Sequence, residues 1–283
     1  MPVNPQSMLR QLASCSAVRS AARLLPPTAS EMLLRFYYQL ARPRNGVSEV
    51  RIEALSAKFR VPTPTQFLRV EALGDEQRLL REFVRFVRPG DCCYDVGAWI
   101  GLYSVFLAGA VGPSGTVVAF EPQDHFFKHL QDNVALNSLT NVRLFRMALG
   151  DGQELDGLYP QDDCGRYSPA NVCEDGSDPI AKVMTGDEVV RVNDLPVPRA
   201  VKIDVEGHEY AVLRGLRNTL GDPQCQLVCC EIHPGLLAAD VTVGSIIDLL
   251  KSLGFAQVEM LERRGDLHAM AYKQAAVAAP PSM

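Results

Sequence analysis

Short apolar runs alternate with helix-length segments from residue 92 onward, and this alternation restricts the fold more than any other feature of the chain. Runs of this length predict strands, and the amphipathic segments between them predict crossover helices. Strands joined through helices pair in parallel, so we expect an α/β protein whose mostly parallel sheet has helices on both faces. The last two runs have no helix between them and are expected to form an antiparallel closing pair. The predicted strands are Cys92–Val96, Thr116–Glu121, Val142–Ala148, Val201–Val205, Gln226–Ile232, Phe255–Glu262 and Leu267–Lys273, and the predicted helices are 101–111, 124–137, 208–220 and 243–253.

The regular pattern predicts one domain at 48–273, preceded by an N-terminal extension with short helices at 1–47 and followed by a disordered tail at 274–283. An acidic insertion at 151–190 interrupts it, and its residues 151–178 hold eight acidic side chains against one basic side chain. This insertion is either a surface loop, which we favour, or a lid over a site. Before the sheet, the sequence predicts a helix at 31–41, a strand pair within 48–60 and a helix at 74–88.

The overall charge limits the partners that the chain is expected to bind. Its formal net charge is −5, which argues against nucleic acid because a phosphate-binding surface shows as a basic excess. No apolar run has the length of a membrane span, so we expect no transmembrane segment. A secretory apolar core is also missing, and the expected location is the cytoplasm. The pattern carries no signal for an oligomeric state.

The first predicted strand runs into the turn Asp95-Val-Gly-Ala-Trp-Ile-Gly101, which opens the next helix. Gly97 permits a tight strand-to-helix turn, and its missing side chain lets a ligand lie against the backbone. Gly101 is expected to allow close packing of the helix on the sheet. Glu121 follows Gly101 by twenty residues, at the end of the next strand, where a carboxylate can accept hydrogen bonds from both hydroxyls of a ribose. Together these features predict a cofactor that contains a nucleoside.

The spacing of this turn separates two classes of nucleotide. A dinucleotide site uses Gly-x-Gly-x-x-Gly to approach a pyrophosphate, whereas this chain has Asp-x-Gly-x-x-x-Gly. Asp95 would repel a pyrophosphate, but its carboxylate can hold the ammonium of a methionine moiety, directly or through water. The alternative is that Asp95 only caps the turn.

Acidic and imidazole side chains gather after two later strands. Asp204 and Glu206 are two residues apart and share a face of the extended chain, and His208 begins the following helix. Glu231 and His233 are likewise two apart at the end of the next strand. If these strands are neighbours, their carboxyl ends converge beside the cofactor crevice.

Three roles stay open for this cluster. Asp204, Glu206 and His208 can supply a general base and orient a substrate hydroxyl, which is the role we favour. With Glu231 and His233 they can instead bind a divalent metal through oxygen and imidazole ligands, or all five can only cap strand and helix ends. The remaining polar residues are expected to be structural or on the surface: Lys202, pointing away from Asp204, and His125, His129 and His268.

Several motifs, in this order, resemble the FkbM-type family of S-adenosylmethionine-dependent methyltransferases. They are Asp-Val-Gly-Ala-x-Ile-Gly (95–101), Val-Val-Ala-Phe-Glu-Pro (117–122), Leu-Gln-Asp-Asn-Val-Ala-Leu-Asn (130–137), Ala-Leu-Gly-Asp (148–151), Val-Lys-Ile-Asp-Val-Glu-Gly-His-Glu (201–209), Val-Leu-Arg-Gly-Leu (212–216) and Glu-Ile-His-Pro (231–234). The resemblance covers residues 65–262. It implies a class I methyltransferase (Rossmann-like) fold, S-adenosylmethionine as cofactor, and O-methylation of hydroxyl groups on sugars or polyketides.

The resemblance also extends the cofactor site and marks one departure. It implies that Ala98, Pro122 and Asp151 bind the cofactor together with Asp95, Gly97, Gly101 and Glu121. The family usually has Asn where this chain has Trp99, so an amide contact at the loop is lost and Trp99 can instead pack on neighbouring helices.

The expected function is therefore O-methylation of a hydroxyl on a small-molecule or glycan acceptor, with a divalent metal as an alternative that we do not favour. Two other functions remain as alternatives. One is a catalytically silent cofactor-binding module of the same fold, for which Trp99 would be a mark of decay. The other is an NAD-dependent oxidoreductase, which binding of NAD rather than S-adenosylhomocysteine would reveal.

Overall fold

A computed structural model describes residues 27–43, 45–73, 76–152, 159–160, 167–168, 183–263 and 266–273. The helices are α1 Pro27–Ala41, α2 Pro64–Ala72, α3 Glu76–Phe86, α4 Leu102–Val111, α5 Asp124–Leu136, α6 Gly186–Val192, α7 Glu209–Gly215, α8 Arg217–Gly221 and α9 Val243–Ser252. The strands are β1 Val47–Ile52, β2 Leu55–Arg60, β3 Cys92–Val96, β4 Thr116–Phe120, β5 Val142–Phe145, β6 Ala148–Gly150, β7 Tyr159–Pro160, β8 Tyr167–Ser168, β9 Val183–Thr185, β10 Ala200–Ile203, β11 Leu227–Ile232, β12 Gln257–Arg263 and β13 Asp266–Tyr272.

A seven-stranded sheet organises the fold, in the order β12-β13-β11-β10-β3-β4-β5. Strands β5, β4, β3, β10 and β11 are parallel, and β13 pairs antiparallel with both β11 and β12. The chain moves outward from β3 to β4 and β5, then returns to place β10 on the other side of β3. This reversal opens a crevice beyond the carboxyl ends of β3 and β10, which is where such sheets bind ligands.

Apolar cores cover both faces of the sheet, because alternate residues of each buried strand point to opposite sides. On one face, Cys93 of β3 packs with residues of α2, α3, α4 and α5. On the other, Tyr94 packs with residues of α6, α7, α8 and α9. The mostly parallel sheet, its antiparallel closing pair and the helices on both faces confirm the predicted class I methyltransferase fold.

The segment before the sheet adds one helix that the sequence analysis did not predict. The strand pair within 48–60 is present as β1 and β2, and the helix predicted at 74–88 is α3. Helix α2 lies between them, and its start has a readable signal. Thr63 accepts a hydrogen bond from the backbone N–H of Gln66, and Pro64 occupies the first turn, which is a common way for a helix to begin.

The prediction of a single strand at Val142–Ala148 is wrong, because two strands, β5 and β6, occupy this stretch. The first, β5, ends at Phe145 at the edge of the central sheet, and β6 pairs in parallel with β9 instead. Strand β6 is held against α7, since a Cβ on Gly215 would lie 1.7 Å from the backbone oxygen of Gly150. Strand β9 and helix α6 also give regular structure to the end of the predicted acidic insertion.

The helix predicted at 208–220 is likewise two helices, α7 and α8. Asp187 in the first turn of α6 explains the break. Its carboxylate accepts hydrogen bonds from the backbone N–H groups of Asn218 and Thr219 and from the Thr219 hydroxyl. A carboxylate at these N–H groups stabilises a new helix start.

The described helices include none that is long and apolar enough to cross a membrane. Predictions for 1–26, for most of the acidic insertion and for the tail at 274–283 concern residues outside the described ranges. The division into extension, domain and tail stays a prediction.

Candidate active site

A cleft opens at the carboxyl ends of β3, β4 and β10. Its free volume is about 850 Å³, including the part open to solvent. Its wall includes the apolar side chains Phe120, Phe126, Met147 and Leu149 and the titratable side chains Glu121, Asp204, Glu206 and His208. The predicted cofactor loop and part of the second cluster therefore border the same space.

Glu121 is fixed at the wall of this cleft by the cofactor loop. One carboxylate oxygen accepts a hydrogen bond from the backbone N–H of Trp99 at 2.8 Å, and the other accepts one from the N–H of Gln123 at 2.9 Å. The residue is only 3% exposed. Each carboxylate oxygen can accept more than one hydrogen bond, so Glu121 can still accept from hydroxyls of a ligand in the cleft.

Each of the two loop glycines makes a close contact that was not predicted. Gly97 has φ +78°, and a Cβ there would lie 1.8 Å from the backbone oxygen of Asp204. The neighbouring strand end therefore already excludes a side chain, the positive φ fits the predicted tight turn, and contact with a ligand stays a prediction. Gly101 has φ +88°, and its Cβ would lie 2.5 Å from a methyl carbon of Leu130 on α5. Gly101 thus allows close contact between helices, where contact with the sheet was expected.

Asp95 lies behind the loop in the protein interior. Its carboxylate accepts a hydrogen bond from the Ser104 hydroxyl at 2.5 Å and lies 3.5 Å from the Lys202 ammonium. It is fully buried, and the described wall of the cleft does not include it. The position supports the alternative that Asp95 organises the turn, and direct contact with a cofactor ammonium stays a prediction.

Lys202 contacts both the cofactor loop and Asp204 of the second cluster. Its ammonium donates a hydrogen bond to the backbone oxygen of Gly97 at 2.7 Å and lies 3.4 Å from the carboxylate of Asp204. The prediction that Lys202 points away from Asp204 is wrong, because residues two apart in a strand share a face. Burial alone would lower the pKa of Lys202, but the carboxylates of Asp204 and Asp95 raise it. Lys202 is therefore a buried cation between two acids.

Trp99 packs on two neighbouring helices, as the sequence analysis considered. Its ring meets Phe126 of α5 edge to face at a centroid distance of 5.9 Å, and the Arg69 guanidinium of α2 lies 5.4 Å from the ring centroid. Trp99 has φ +51°, a conformation that Asn adopts more readily than bulky residues. This explains the usual Asn of the resembling family. The substitution changes the side chain in the wall and keeps the backbone N–H bonded to Glu121.

The second cluster converges on His233. The Nε2 atom of His233 lies 3.8 Å from an oxygen of Asp204 and 3.7 Å from an oxygen of Glu206. On the other side of the ring, Nδ1 lies 2.7 Å from a carboxylate oxygen of Glu209. Burial alone would lower the pKa of His233, but the hydrogen bond to Glu209 and the charge of Asp204 raise it to about 9.

Glu231 lies beside this cluster and has a partner that was not predicted. A carboxylate oxygen of Glu231 is 3.1 Å from Nε2 of His268. An oxygen of Glu231 also lies within 4.8 Å of a ring nitrogen of His233 and of a carboxylate oxygen of Asp266. His268 is 2% exposed, so its predicted surface position is wrong. Burial raises the pKa of Glu231.

Glu206 and His208, the two residues considered as the general base, both line the cleft. Their surroundings shift their pKa values in opposite directions. Burial lowers the pKa of His208, whereas burial raises the pKa of Glu206 although His233 opposes the change. At neutral pH the His208 imidazole is therefore uncharged and able to accept a proton. Burial alone would raise the pKa of Asp204, but Lys202 and His233 lower it.

Three cofactor residues were placed by the resemblance alone. Pro122 lines the cleft, and the backbone N–H of Ala98 donates to the last residue of β4 at 2.9 Å. Asp151 pairs with Arg214 of α7 at 3.2 Å. In the described part of the wall the cleft reaches Gly150 and does not include Asp151.

Glu209 is a polar residue of the site to which the sequence analysis gave no role, as is Arg69 in the wall of the cleft. It is fully buried, holds His233, and accepts a hydrogen bond from the N–H of Gly207 at 2.8 Å. The sequence contains a signal for it, since Glu209 shares a helical stripe with Val212, Leu213 and Leu216, which are all buried. An acid in such a stripe needs a polar partner.

Known proteins are similar to this chain over a range that includes both the cofactor loop and the second cluster. The model described as "Methyltransferase FkbM domain" matches residues 95–256. Hexuronic acid methyltransferase AglP of Haloferax volcanii is 31% identical over 191 residues, which cover 68% of this chain and 76% of that protein. 31-O-demethyl-FK506 methyltransferase FkbM of Streptomyces tacrolimicus is 29% identical over 261 residues, which cover 77% of this chain and 97% of that protein.

Solved structures are similar at lower identity. Methyltransferase FkbM from Methylobacillus flagellatus has a TM-score of 0.46 at 16% identity, and the match covers 74% of this chain and 54% of that chain. Precorrin-6y C5,15-methyltransferase from Geobacter metallireducens has a TM-score of 0.45 at 15% identity, with 70% of this chain and 89% of that chain covered.

Proposed function

This chain belongs to the FkbM family of S-adenosylmethionine-dependent methyltransferases, and we propose that it methylates a hydroxyl oxygen of a sugar, glycan or polyketide-like acceptor. The observation that carries the proposal is the shared cleft. Glu121 and the loop at 97–99 border the same space as Glu206 and His208. A cofactor at the first group and an acceptor at the second would therefore meet.

The residues of the cleft fit the cofactor. Glu121 is held by two backbone N–H groups and would accept hydrogen bonds from the ribose hydroxyls. Phe126, Met147 and Leu149 offer an apolar wall for the purine ring. We propose that Pro122 and the backbone at Gly97, Ala98 and Gly101 complete this site, while Asp95 and Asp151 act from behind it through Lys202 and Arg214.

Catalysis then depends on aligning the acceptor oxygen with the methyl group and on removing the proton of the acceptor hydroxyl. S-adenosylmethionine supplies a methyl group on a positively charged sulfonium when it is bound. The chain has to hold the acceptor oxygen in line with that methyl group, and such positioning can contribute about 7 kcal/mol or more. We propose His208 as the base that takes the hydroxyl proton, with Asp204 and Glu206 orienting the acceptor. A positioned base adds about 10²-fold or more.

The acceptor class rests on the relatives and on one side chain of the cleft. The names of two relatives give a hexuronic acid and a 31-O-demethyl compound as their substrates. Arg69 lies in the wall of the cleft with its guanidinium against Trp99. A cation in this place suits an acceptor that carries a carboxylate, so we propose an acidic sugar ahead of a neutral one.

An acceptor screen tests this proposal. The full chain is incubated with S-adenosylmethionine and a panel of hexuronic acids, neutral hexoses and hydroxylated macrolides, and S-adenosylhomocysteine formation is measured. We expect turnover with an acceptor that gains one methyl group on oxygen, as located by mass spectrometry and NMR. The Arg69→Gln variant should raise KM for an acidic acceptor and leave KM for a neutral one unchanged.

Two results would overturn it. A product methylated on carbon or nitrogen contradicts O-methylation, and methylation of an RNA added to the same panel contradicts the predicted exclusion of nucleic acid. Binding of S-adenosylhomocysteine without turnover on any hydroxyl would support the silent binding module. The cytoplasmic location stays a prediction.

A further inference from the structure

His233 is held like a histidine that binds a metal. Its Nδ1 atom lies 2.7 Å from the carboxylate of Glu209, which is fully buried. The raised pKa keeps both ring nitrogens protonated while no ion is bound. An ion would displace the proton from Nε2, and Nε2 would then offer its lone pair while Nδ1 donates to Glu209. Metal-binding histidines commonly have this arrangement, with a carboxylate fixing the ring from the far side.

The free nitrogen of His233 points at two carboxylates across a gap. Its distances to Asp204 and Glu206 are 3.8 and 3.7 Å, too long for hydrogen bonds. Within the described ranges nothing else bonds to Nε2, although His233 is only 6% exposed. One ligand atom from each of the three side chains lies within 4.8 Å of the others. Bonds of about 2.1 Å put the ligand atoms of one ion about 3–4.2 Å apart, so the gap has the size of a cation.

The local charge and backbone both favour a cation at this point. Three carboxylates surround His233, those of Asp204, Glu206 and Glu209. The cations near them are Lys202, which is shared with Asp95, and Arg69 of the cleft wall. Glu206 has φ +51° and Gly207 has φ +101°. A non-glycine residue in this conformation costs about 1–3 kcal/mol and persists where its surroundings hold it, often at functional sites. The turn thus holds the Glu206 carboxylate beside His233.

We propose that Asp204, Glu206 and His233 bind a divalent first-row metal ion such as Mn²⁺, with Glu209 fixing His233 from behind. One imidazole and two carboxylates suit such an ion better than Ca²⁺. Because Asp204 and Glu206 line the cleft, open coordination positions of the ion face it. An acceptor with two neighbouring oxygens would bind there, and the ion would orient its hydroxyl and favour loss of the proton. This catalytic role rests on the proposed function, whereas metal binding does not.

Manganese titration of the full chain tests the site. The protein is stripped with a chelator, and free Mn²⁺ is followed by electron paramagnetic resonance as MnCl₂ is added. We expect one binding site per chain and a rise in melting temperature with Mn²⁺. The variants His233→Gln and Glu206→Gln should each weaken binding by about tenfold or more. His125→Gln, on an exposed histidine of α5, is the control and should bind like the parent.

No binding by the stripped parent, or equal affinity in a folded Glu206→Gln variant, would overturn the proposal. Glu206 is partly exposed, so this variant keeps the test valid if His233→Gln fails to fold. Methyl transfer by the stripped protein at the full rate would remove the catalytic role of the ion. The proposed O-methylation would then stand, and its own failure would appear separately as a lack of turnover with Mn²⁺ present.

Discussion

Replacing Glu121 with glutamine separates the cofactor role of this residue from its structural role. In the parent, its two oxygens accept hydrogen bonds from the N–H groups of Trp99 and Gln123 at 2.8 and 2.9 Å. Glutamine keeps one carbonyl oxygen at nearly the same volume and puts an NH₂ group in place of the other oxygen. One backbone N–H then faces a donor, and the negative charge offered to the ribose is lost.

The expected losses can be estimated from these contacts. A hydrogen bond to a charged group contributes about 1.5–3 kcal/mol, which corresponds to an increase of about 10–100-fold in the dissociation constant. The unpaired backbone N–H costs the fold a further 1–3 kcal/mol, approximately. Alanine would leave the N–H groups of both Trp99 and Gln123 unpaired, so its effect on the fold would obscure its effect on the cofactor.

Calorimetric titration with S-adenosylhomocysteine measures the first loss, and urea denaturation measures the second. The titration is run where circular dichroism shows each variant to be folded. Glu262→Gln makes the same chemical change at an exposed position of β12 and should leave both quantities unchanged. Affinity within twofold of the parent for a folded Glu121→Gln variant would refute the ribose role.

The remaining predictions concern the loop glycine, the base and the buried lysine. Gly97→Ala should cost more than about 4 kcal/mol in thermal denaturation, because its Cβ would lie 1.8 Å from a backbone oxygen. Gly46→Ala, at φ +67° with nothing within 4 Å, should cost only about 1–3 kcal/mol of backbone strain; equal losses would contradict the clash. His208→Gln should lower kcat by about 10²–10⁴-fold with unchanged S-adenosylhomocysteine affinity in the same titration, and full turnover would exclude it as the base. Lys202→Met should lower the free energy of unfolding by about 3–5 kcal/mol because it leaves the buried Asp95 carboxylate without its cation. Lys128→Met, in an exposed pair, should cost less than about 1 kcal/mol, and urea denaturation of the two variants compares these losses.

The central sheet could be predicted because each of its strands is a short apolar run between helix-length segments. The points at which predicted strands and helices are interrupted could not be predicted in this way. Strand β5 ends at Phe145, and β6 pairs with β9. Strand β6 also lies against α7 through a close contact between Gly150 and Gly215, which are far apart in sequence. The break between α7 and α8 has the same origin, since Asp187 of another helix supplies the carboxylate for the new helix start.

The wall of the cleft was predictable where a polar residue directly follows a strand. Glu121 directly follows β4 and Asp204 directly follows β10, and both line the cleft, as strand ends in a parallel sheet require. The residues behind the wall were not predictable in the same way. Lys202 and Glu209 act through partners in other strands and helices, and the spacing of residues along one element does not identify those partners. The identity of their partners appears only when the strands are aligned.

Parallel calorimetric titrations with S-adenosylhomocysteine and NAD test the central claim most directly, because the claim is that this cleft holds the methyl donor. The account predicts that S-adenosylhomocysteine binds with one molecule per chain and that NAD gives no heat of binding. The same sample should resist thermal unfolding more strongly with S-adenosylhomocysteine than without it. Binding of NAD in place of S-adenosylhomocysteine, or no binding of S-adenosylhomocysteine by the folded chain, would contradict the assignment of the cleft.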